Sequence, residues 1–365
     1  MIEFHSSANP TIGVEIELQL IDKNTFGLNN IASKVLSEVD KKFSSKIKAE
    51  LFESMIEINT DICSTIEEVE KDIKETLIYL EGIVSSYNSM FNCTSLHPFS
   101  LGKKQVVADL PRYKRIMKDL QIVGKRFISQ GLHVHIGIDD KEKCIQVNNA
   151  LRMYLPLLLA LSTSSPFYEG DDTGLHSYRA KLFESLPLAG MPDYLNDWNH
   201  FVQLTEQLQN AGIIKSVKDL WWDVRPHPGF GTIEVRICDI PINFNNILSI
   251  VALIQALVVT LNKENFNPYT HIQILESNKW QAARYGLEGI FVDPKTIEQL
   301  TMRKSIENLC NFIEPTCDSL ESTKYIVVIE EILKGGTGST KQRELFKKTG
   351  SFVHMIQSVN EQFYG

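Results

Sequence analysis

The segment "TIGVEIELQLID" (residues 11–22) sets two carboxylates, Glu15 and Glu17, two residues apart. On an extended chain rising about 3.3 Å per residue they share one face, roughly 7 Å apart. Val14, Ile16, Leu18 and Leu20 take the other face, and this alternation predicts a half-buried strand. The pattern recurs three times. In "LFESMIEIN", Glu53, Met55, Glu57 and Asn59 stand opposite Phe52, Ser54, Ile56 and Ile58. In "GLHVHIGID", His133, His135 and Asp139 oppose Leu132, Val134, Ile136 and Ile138. In "GTIEVRICD", Thr232, Glu234 and Arg236 oppose Ile233, Val235 and Ile237. These polar faces hold five glutamates and two histidines against one arginine. One solvated face is ordinary in an antiparallel sheet. Carboxylates crowded on one sheet, however, repel each other unless cations neutralise them. Oxygen-seeking divalent ions such as Mg²⁺ or Mn²⁺ are the expected partners, on condition that the four strands share a sheet with these faces aligned.

Magnesium held by carboxylates, its shell completed by water and phosphates, is the usual arrangement for nucleotide chemistry. Arg236, two residues from Glu234 on the same face, could neutralise a transferring phosphoryl group. "DVRPHPGFG" adds Arg225 and His227 in what the prolines and glycines predict to be a shaped loop entering the last strand; a salt bridge to Asp223 or another acid is the plainer use of Arg225. There is no G-x-S-x-G and no activated-cysteine signature, which points away from covalent hydrolysis. "GGTGSTKQR" (335–343) lacks the Gly-Lys-Ser/Thr order of a phosphate loop and reads as a flexible connection between helices.

Strands are expected over 12–21, 52–59, 131–139 and 232–239. Helices fit 31–42, 65–87, 112–126, 142–162, 194–211, 245–262, 296–313 and 323–334, the second opened by Thr65 and Glu68 as a capping-box-like pair. With no repeat, low-complexity tract or linker, a single α+β domain over residues 1–365 is expected, sheet-rich over 1–244 and mostly helical over 245–365. A net charge of −8 argues against general attraction to nucleic acid or an anionic membrane. Basic residues concentrate at 103–126, which is either a solvated helical face or a phosphate-facing lobe. The greasiest run, "ILSIVALIQALVVTL" (247–261), is shorter than the ~20 residues of a span and is expected to be a buried helix. Six cysteines without a C-x-x-C pair, and an N-terminus without a signal-peptide pattern, lead to the expectation of reduced thiols and a cytoplasmic protein. Self-association is left open.

Read together, "GVEIELQLID", "ESMIEINT", "GLHVHIGID", "LPLLLALSTSSPFYEGDDTGLHSYR" and "WWDVRPHPGFGTIEVRICDIP" resemble the carboxylate–amine ligase family, the type 2 glutamate–cysteine ligases. "NKWQAARYGLEG" and "GTGSTKQR" resemble its later blocks. The resemblance implies a glutamine-synthetase-like fold: a curved, mainly antiparallel sheet of about six strands with helices on its convex side. It implies ATP with Mg²⁺ or Mn²⁺, small amino-acid substrates, and amide formation through an acyl phosphate, with glutamate and cysteine as first choice. By the same carry-over Glu15, Glu17, Glu57, His133 and Glu234 are metal ligands, with Glu50 and Glu53 as further acids. Glu50 has the wrong strand parity and needs a bulge or turn to join them. Arg236 would stand near the γ-phosphate, with Arg225 and His227 beside the nucleotide. Arg179 and Arg284 could clamp a substrate carboxylate and Trp280 wall its pocket; an exposed salt bridge or core packing serves these three equally well. Competing readings are glutamate joined to another amine, a guanidino-type kinase, and a non-catalytic metal- or nucleotide-binding protein.

Overall fold

The computed structural model describes residues 2–264 and 269–364. Seven strands form the main sheet: β1 (Ile12–Asp22), β2 (Ile47–Ala49), β3 (Met55–Asn59), β4 (Ser89–Asn92), β5 (Leu132–Gly137), β6 (Val224–His227) and β7 (Thr232–Val235). Their order is β2-β3-β1-β5-β7-β6, every pairing is antiparallel, and β4 pairs with the far end of β1. The aliphatic faces read from the sequence all turn to one side. Val14, Ile16, Leu18, Ile56, Ile58, Leu132, Val134, Ile136, Ile233 and Val235 are 0–2% exposed and belong to one core cluster.

Helices cover that face. α1 (Ile66–Ser86) lays Val69, Ile73, Leu77 and Leu80 on it at helical spacing. Thr65 Oγ1 accepts from Glu68 N at 3.2 Å, and Glu68 Oε2 accepts from Ser64 N at 2.6 Å, so the expected cap forms with its return bond one residue earlier. α2 (Lys141–Leu151) and α3 (Leu155–Ser162) replace the single helix expected over 142–162. Pro156, in the first turn of α3, cannot continue the ladder of α2, and the axes bend by 61°. α4 (Phe244–Glu264) is long and apolar enough to cross a membrane, yet 89% of its most apolar window is buried within the protein.

The hairpin β6–β7 is where the expected loop turns out to be strand. Two prolines argue against a strand interior, but β6 is the sheet's edge, where Pro226 forfeits no ladder bond that a neighbour needs. Gly231 closes the hairpin at φ +63°, and a Cβ there would run into the His5 carbonyl. "GGTGSTKQR" is also not a loop beyond Thr337, because the helix Gly338–Thr349 begins inside it. The basic segment forms the helix Pro111–Leu120, no residue of which is buried, and a short second helix after Gln121.

Candidate active site

Antiparallel register builds the polar face into rows. Glu17 lies opposite Glu57, and Glu57 opposite Lys48; Glu15 lies between Asn59 and His133; Glu234 lies between His135 and Arg225. The alignment on which metal binding was conditional is therefore present. Above these rows opens a cleft of ≈ 820 Å³ whose floor holds Glu15, Glu17, Glu57, His133, Glu234 and Arg236.

Two clusters sit on this floor. Glu15, His133 and Glu234 form one, and Glu17, Glu50 and Glu57 the other; in each, one ligand atom per residue lies within 4.8 Å of the others. Glu50 arrives by the turn its parity demanded: it follows β2, and residues 50–54 lead into β3. Burial pushes the Glu50 carboxyl well above its ordinary range, and the charges of Glu17 and Glu57 add to the push. Burial likewise raises Glu17 to about 7, helped by Glu57 and opposed by Arg179. Three carboxylates that resist joint ionisation are what a divalent cation relieves. The first cluster is balanced differently. Burial works against the charge of Glu234, but Arg225 and Arg236 outweigh it and hold its carboxyl well below the carboxylate range. Burial lowers His133 to about 4, so its imidazole is neutral at pH 7. His133 Nδ1 lies 3.2 Å from Glu15 Oε2; with that nitrogen donating, Nε2 carries the lone pair, and it is buried without a hydrogen-bond partner. A neutral imidazole with a free lone pair can join the carboxylates in the shell of a divalent ion.

The arginines differ in what they have left to give. Arg225 is 4% exposed; Nε and Nη2 donate to Glu234 Oε2 at 3.0 and 2.6 Å, and Nη1 donates to the carbonyls of Val217 and Leu220 at 3.1 and 2.8 Å. Arg236 pairs with Glu234 Oε1, while its buried Nε has no partner. His227 lines the cleft and stacks on Phe230, with ring centroids 4.1 Å apart.

Four candidates lie outside the cleft lining. Glu53 accepts from the Ser33 amide (2.9 Å) and hydroxyl (2.6 Å), which anchors the neighbouring helix instead of facing the acids. Arg179 is 1% exposed behind the floor. It donates to the carbonyls of Ile237 (3.3 Å) and Arg236 (3.4 Å) and lies over the Phe183 ring. Gly131 makes room for it, since a Cβ there would strike the guanidinium. Arg284 donates to the Gly174 carbonyl and packs on Tyr285. Trp280 is 44% exposed beneath Lys181. Conversely, the cleft includes residues with no individual role assigned from sequence. His135 Nε2 lies 3.5 Å from Glu15 and 3.8 Å from Glu234. Its signal was available, two residues from His133 on the same face. Arg112 and Tyr113 reach the cleft from the basic segment, in the sense of the phosphate-facing alternative. Lys218 lies in a turn outside the strand pattern, and Phe230 sits in the turn of the β6–β7 hairpin, so strand periodicity marks neither.

Two solved structures share the whole architecture. A glutamate–cysteine ligase from Francisella tularensis, crystallised in complex with AMP, superposes with a TM-score of 0.74 at 16% identity, covering 99% of this chain and 90% of that one. A bifunctional glutathione synthetase from Pasteurella multocida gives 0.74 at 14% identity over 97% of this chain and 52% of its own. The fold is thus the one shared by that glutamate–cysteine ligase and that glutathione synthetase. The family model of glutamate–cysteine ligase family 2 matches residues 11–361. Relatives assigned the name glutamate–cysteine ligase 2 include one from Gloeobacter violaceus, 38% identical over 97% of both chains, and one from Solibacter usitatus, 34% identical over 99% of this chain and 96% of its own. The chain belongs to glutamate–cysteine ligase family 2. Membership makes it a carbon–nitrogen ligase and sets aside the kinase and the purely binding protein.

Proposed function

We propose that this ligase joins the γ-carboxyl of glutamate to the amine of cysteine at the expense of ATP. The substrate carboxylate oxygen attacks the γ-phosphorus, ADP departs with the bridging oxygen, and an acyl phosphate forms. The amine nitrogen then attacks the acyl carbon, phosphate leaves with the carbonyl–phosphate oxygen, and the nitrogen gives up a proton. The observation that carries this reading is the pair of clusters flanking Arg236 on one sheet face.

Glu15, His133 and Glu234 would hold one Mg²⁺ or Mn²⁺, and Glu17, Glu50 and Glu57 a second. Bound there, the ions would offset the negative charge of the polyphosphate. Arg236, with a donor unspent, faces the charge that develops on the transferring phosphoryl group, a role worth several kcal/mol when the donor is preorganised. The floor stands on a sheet whose other face is core, so these groups are placed before substrate arrives. Six cysteines without a disulfide among the described residues support a reducing, cytoplasmic setting.

The test is ATP turnover with Mg²⁺ and glutamate against a panel of amines including cysteine, with products identified by mass spectrometry. One γ-glutamylcysteine per ADP and phosphate is expected. An amide with a different amine would keep the ligase and replace the acceptor; ADP without any amide would overturn the reaction.

A further inference from the structure

Arg225 faces the same cleft as Arg236 but is committed elsewhere. Its position opposite Glu234 in the β6–β7 register aims two of its N–H groups at one carboxylate oxygen, Oε2. That leaves Oε1 turned toward Arg236 and His135. The third nitrogen reaches the other way, to the Val217 and Leu220 carbonyls. Those carbonyls bracket the turn Val217–Asp219, which has no buried residue; Ser216 and Asp219 bond reciprocally across it, Leu220 N donates to the Val217 carbonyl at 3.0 Å, and Lys215 N donates to Asp219 Oδ2 at 2.8 Å. The turn carries Lys218 to the cleft wall, and Trp221 follows it. Four of the five N–H groups of Arg225 are committed to a buried carboxylate oxygen and two carbonyls, which leaves one Nη2–H, too few for a bidentate grip on phosphate unless Glu234 Oε2 or the Leu220 carbonyl gives up its donor.

We propose that Arg225 is a positioning residue: it orients Glu234 within the Glu15–His133–Glu234 cluster and ties that cluster to the wall turn Ser216–Leu220, so one side chain sets both the cation cradle and the Lys218 wall. This rests on the reading of the two clusters as cation sites. Partners that orient a ligand from behind typically change metal affinity about 10- to 100-fold when removed.

The experiment is a Mn²⁺ titration of the full chain, without nucleotide, followed by the EPR signal of free Mn²⁺. Wild type is expected to bind at two classes of site, and Glu57→Gln to remove one, which identifies the Glu17–Glu50–Glu57 class. Arg225→Met should weaken the other class about 10- to 100-fold and leave the Glu57-dependent class unchanged, which also shows that the fold survives. Arg225→Lys, which restores a single donor to Glu234, should recover part of the loss. Trypsin should cut Arg225→Met at Lys215 or Lys218 faster than wild type, and added Mn²⁺ should slow cleavage of wild type more than of the variant. If Arg225→Met binds Mn²⁺ as wild type does and instead raises only the KM for ATP, Arg225 is a nucleotide contact and the inference falls. If wild type binds no Mn²⁺, the cation reading itself falls and takes the inference with it.

Discussion

Removing divalent metal should make the stability of this protein fall as pH rises, and the size of the effect follows from the Glu17–Glu50–Glu57 cluster. Two full charges 4.8 Å apart repel by about 3.5 kcal/mol at an effective dielectric of ~20. Glu17 alone gives a similar figure: burial, with the push of Glu57, carries it from 4.5 to about 7, and at about 1.4 kcal/mol per pH unit this is worth roughly 3 kcal/mol. Its native value lies above its unfolded value, so the folded state holds a proton that the unfolded chain has lost. The stabilisation is complete below pH ~4.5 and disappears as pH rises through ~7, and the upward shifts of Glu50 and Glu57 extend the window in the same direction. With 365 residues at ~2.1 cal/mol/K each, the unfolding entropy is near 0.8 kcal/mol/K, and 3 kcal/mol corresponds to about 4 °C. The assay is Tm against pH from 5 to 8.5, with EDTA and with Mg²⁺. The Mg²⁺-minus-EDTA difference should widen by about 4 °C or more toward high pH, because metal and protons compete for the same oxygens. Glu57→Gln should raise the EDTA Tm at pH 8 and shrink the Mg²⁺ increment. A difference that is constant with pH, or that narrows as pH rises, would refute the account.

Other outcomes follow from the same coordinates. Glu234→Gln should abolish amide formation and also lower stability by about 3–5 kcal/mol, because it strands two buried guanidinium groups; circular dichroism melts check the second effect, and an unshifted Tm would mean that the arginines find other partners. Lys279→Met should destabilise by a similar amount, because it leaves Asp223, 2.6 Å from the lysine, as an uncompensated buried charge. His97 is buried, 2.8 Å from the Phe26 carbonyl, and lowered to about 4 by burial, so it resists protonation that the unfolded chain accepts below pH ~6.5. Stability should therefore drop between pH 6.5 and 4; His133, His176 and His227, also lowered to about 4 by burial, share that limb, so His97→Gln should make it shallower by one proton's worth in urea titrations. Gly231→Ala should lose at least ~1–3 kcal/mol, since it needs φ +63° and the space taken by the His5 carbonyl; a melt within 1 °C of wild type would contradict this.

Much of the site was legible because strand periodicity is local and leaves little choice. Once Val14, Ile16 and Leu18 are committed to a core, Glu15 and Glu17 have only the other face, and the same logic places Glu57, His133 and Glu234. Tertiary contacts could not be read this way. Val224–His227 looks like a loop because Pro226 and Pro228 are poor strand residues, and only its place at the sheet edge makes them acceptable. Glu50 reaches its cluster through a turn geometry that parity alone forbids. For the arginines, residue type allowed a carboxylate clamp or a structural role, and Arg179 lies beside Gly131, donating to the carbonyls of Ile237 and Arg236 with Asp239 Oδ1 3.9 Å away. The break between α2 and α3 falls just before Pro156, whose ring cannot continue the ladder, although helical spacing predicts one helix over 142–162.

The helix Pro111–Leu120, with no buried residue, and the turn at 217–219 stand over a floor made of central strands. Floor and rim therefore live on different clocks. Amides of Val14 to Leu18 and Leu132 to Ile136 should exchange with solvent only when the whole protein opens, whereas those of the helix and the turn should need only a local excursion. Such a ligase can admit and release its nucleotide and products by breathing at the edge, turnover after turnover, while the carboxylates underneath keep their spacing.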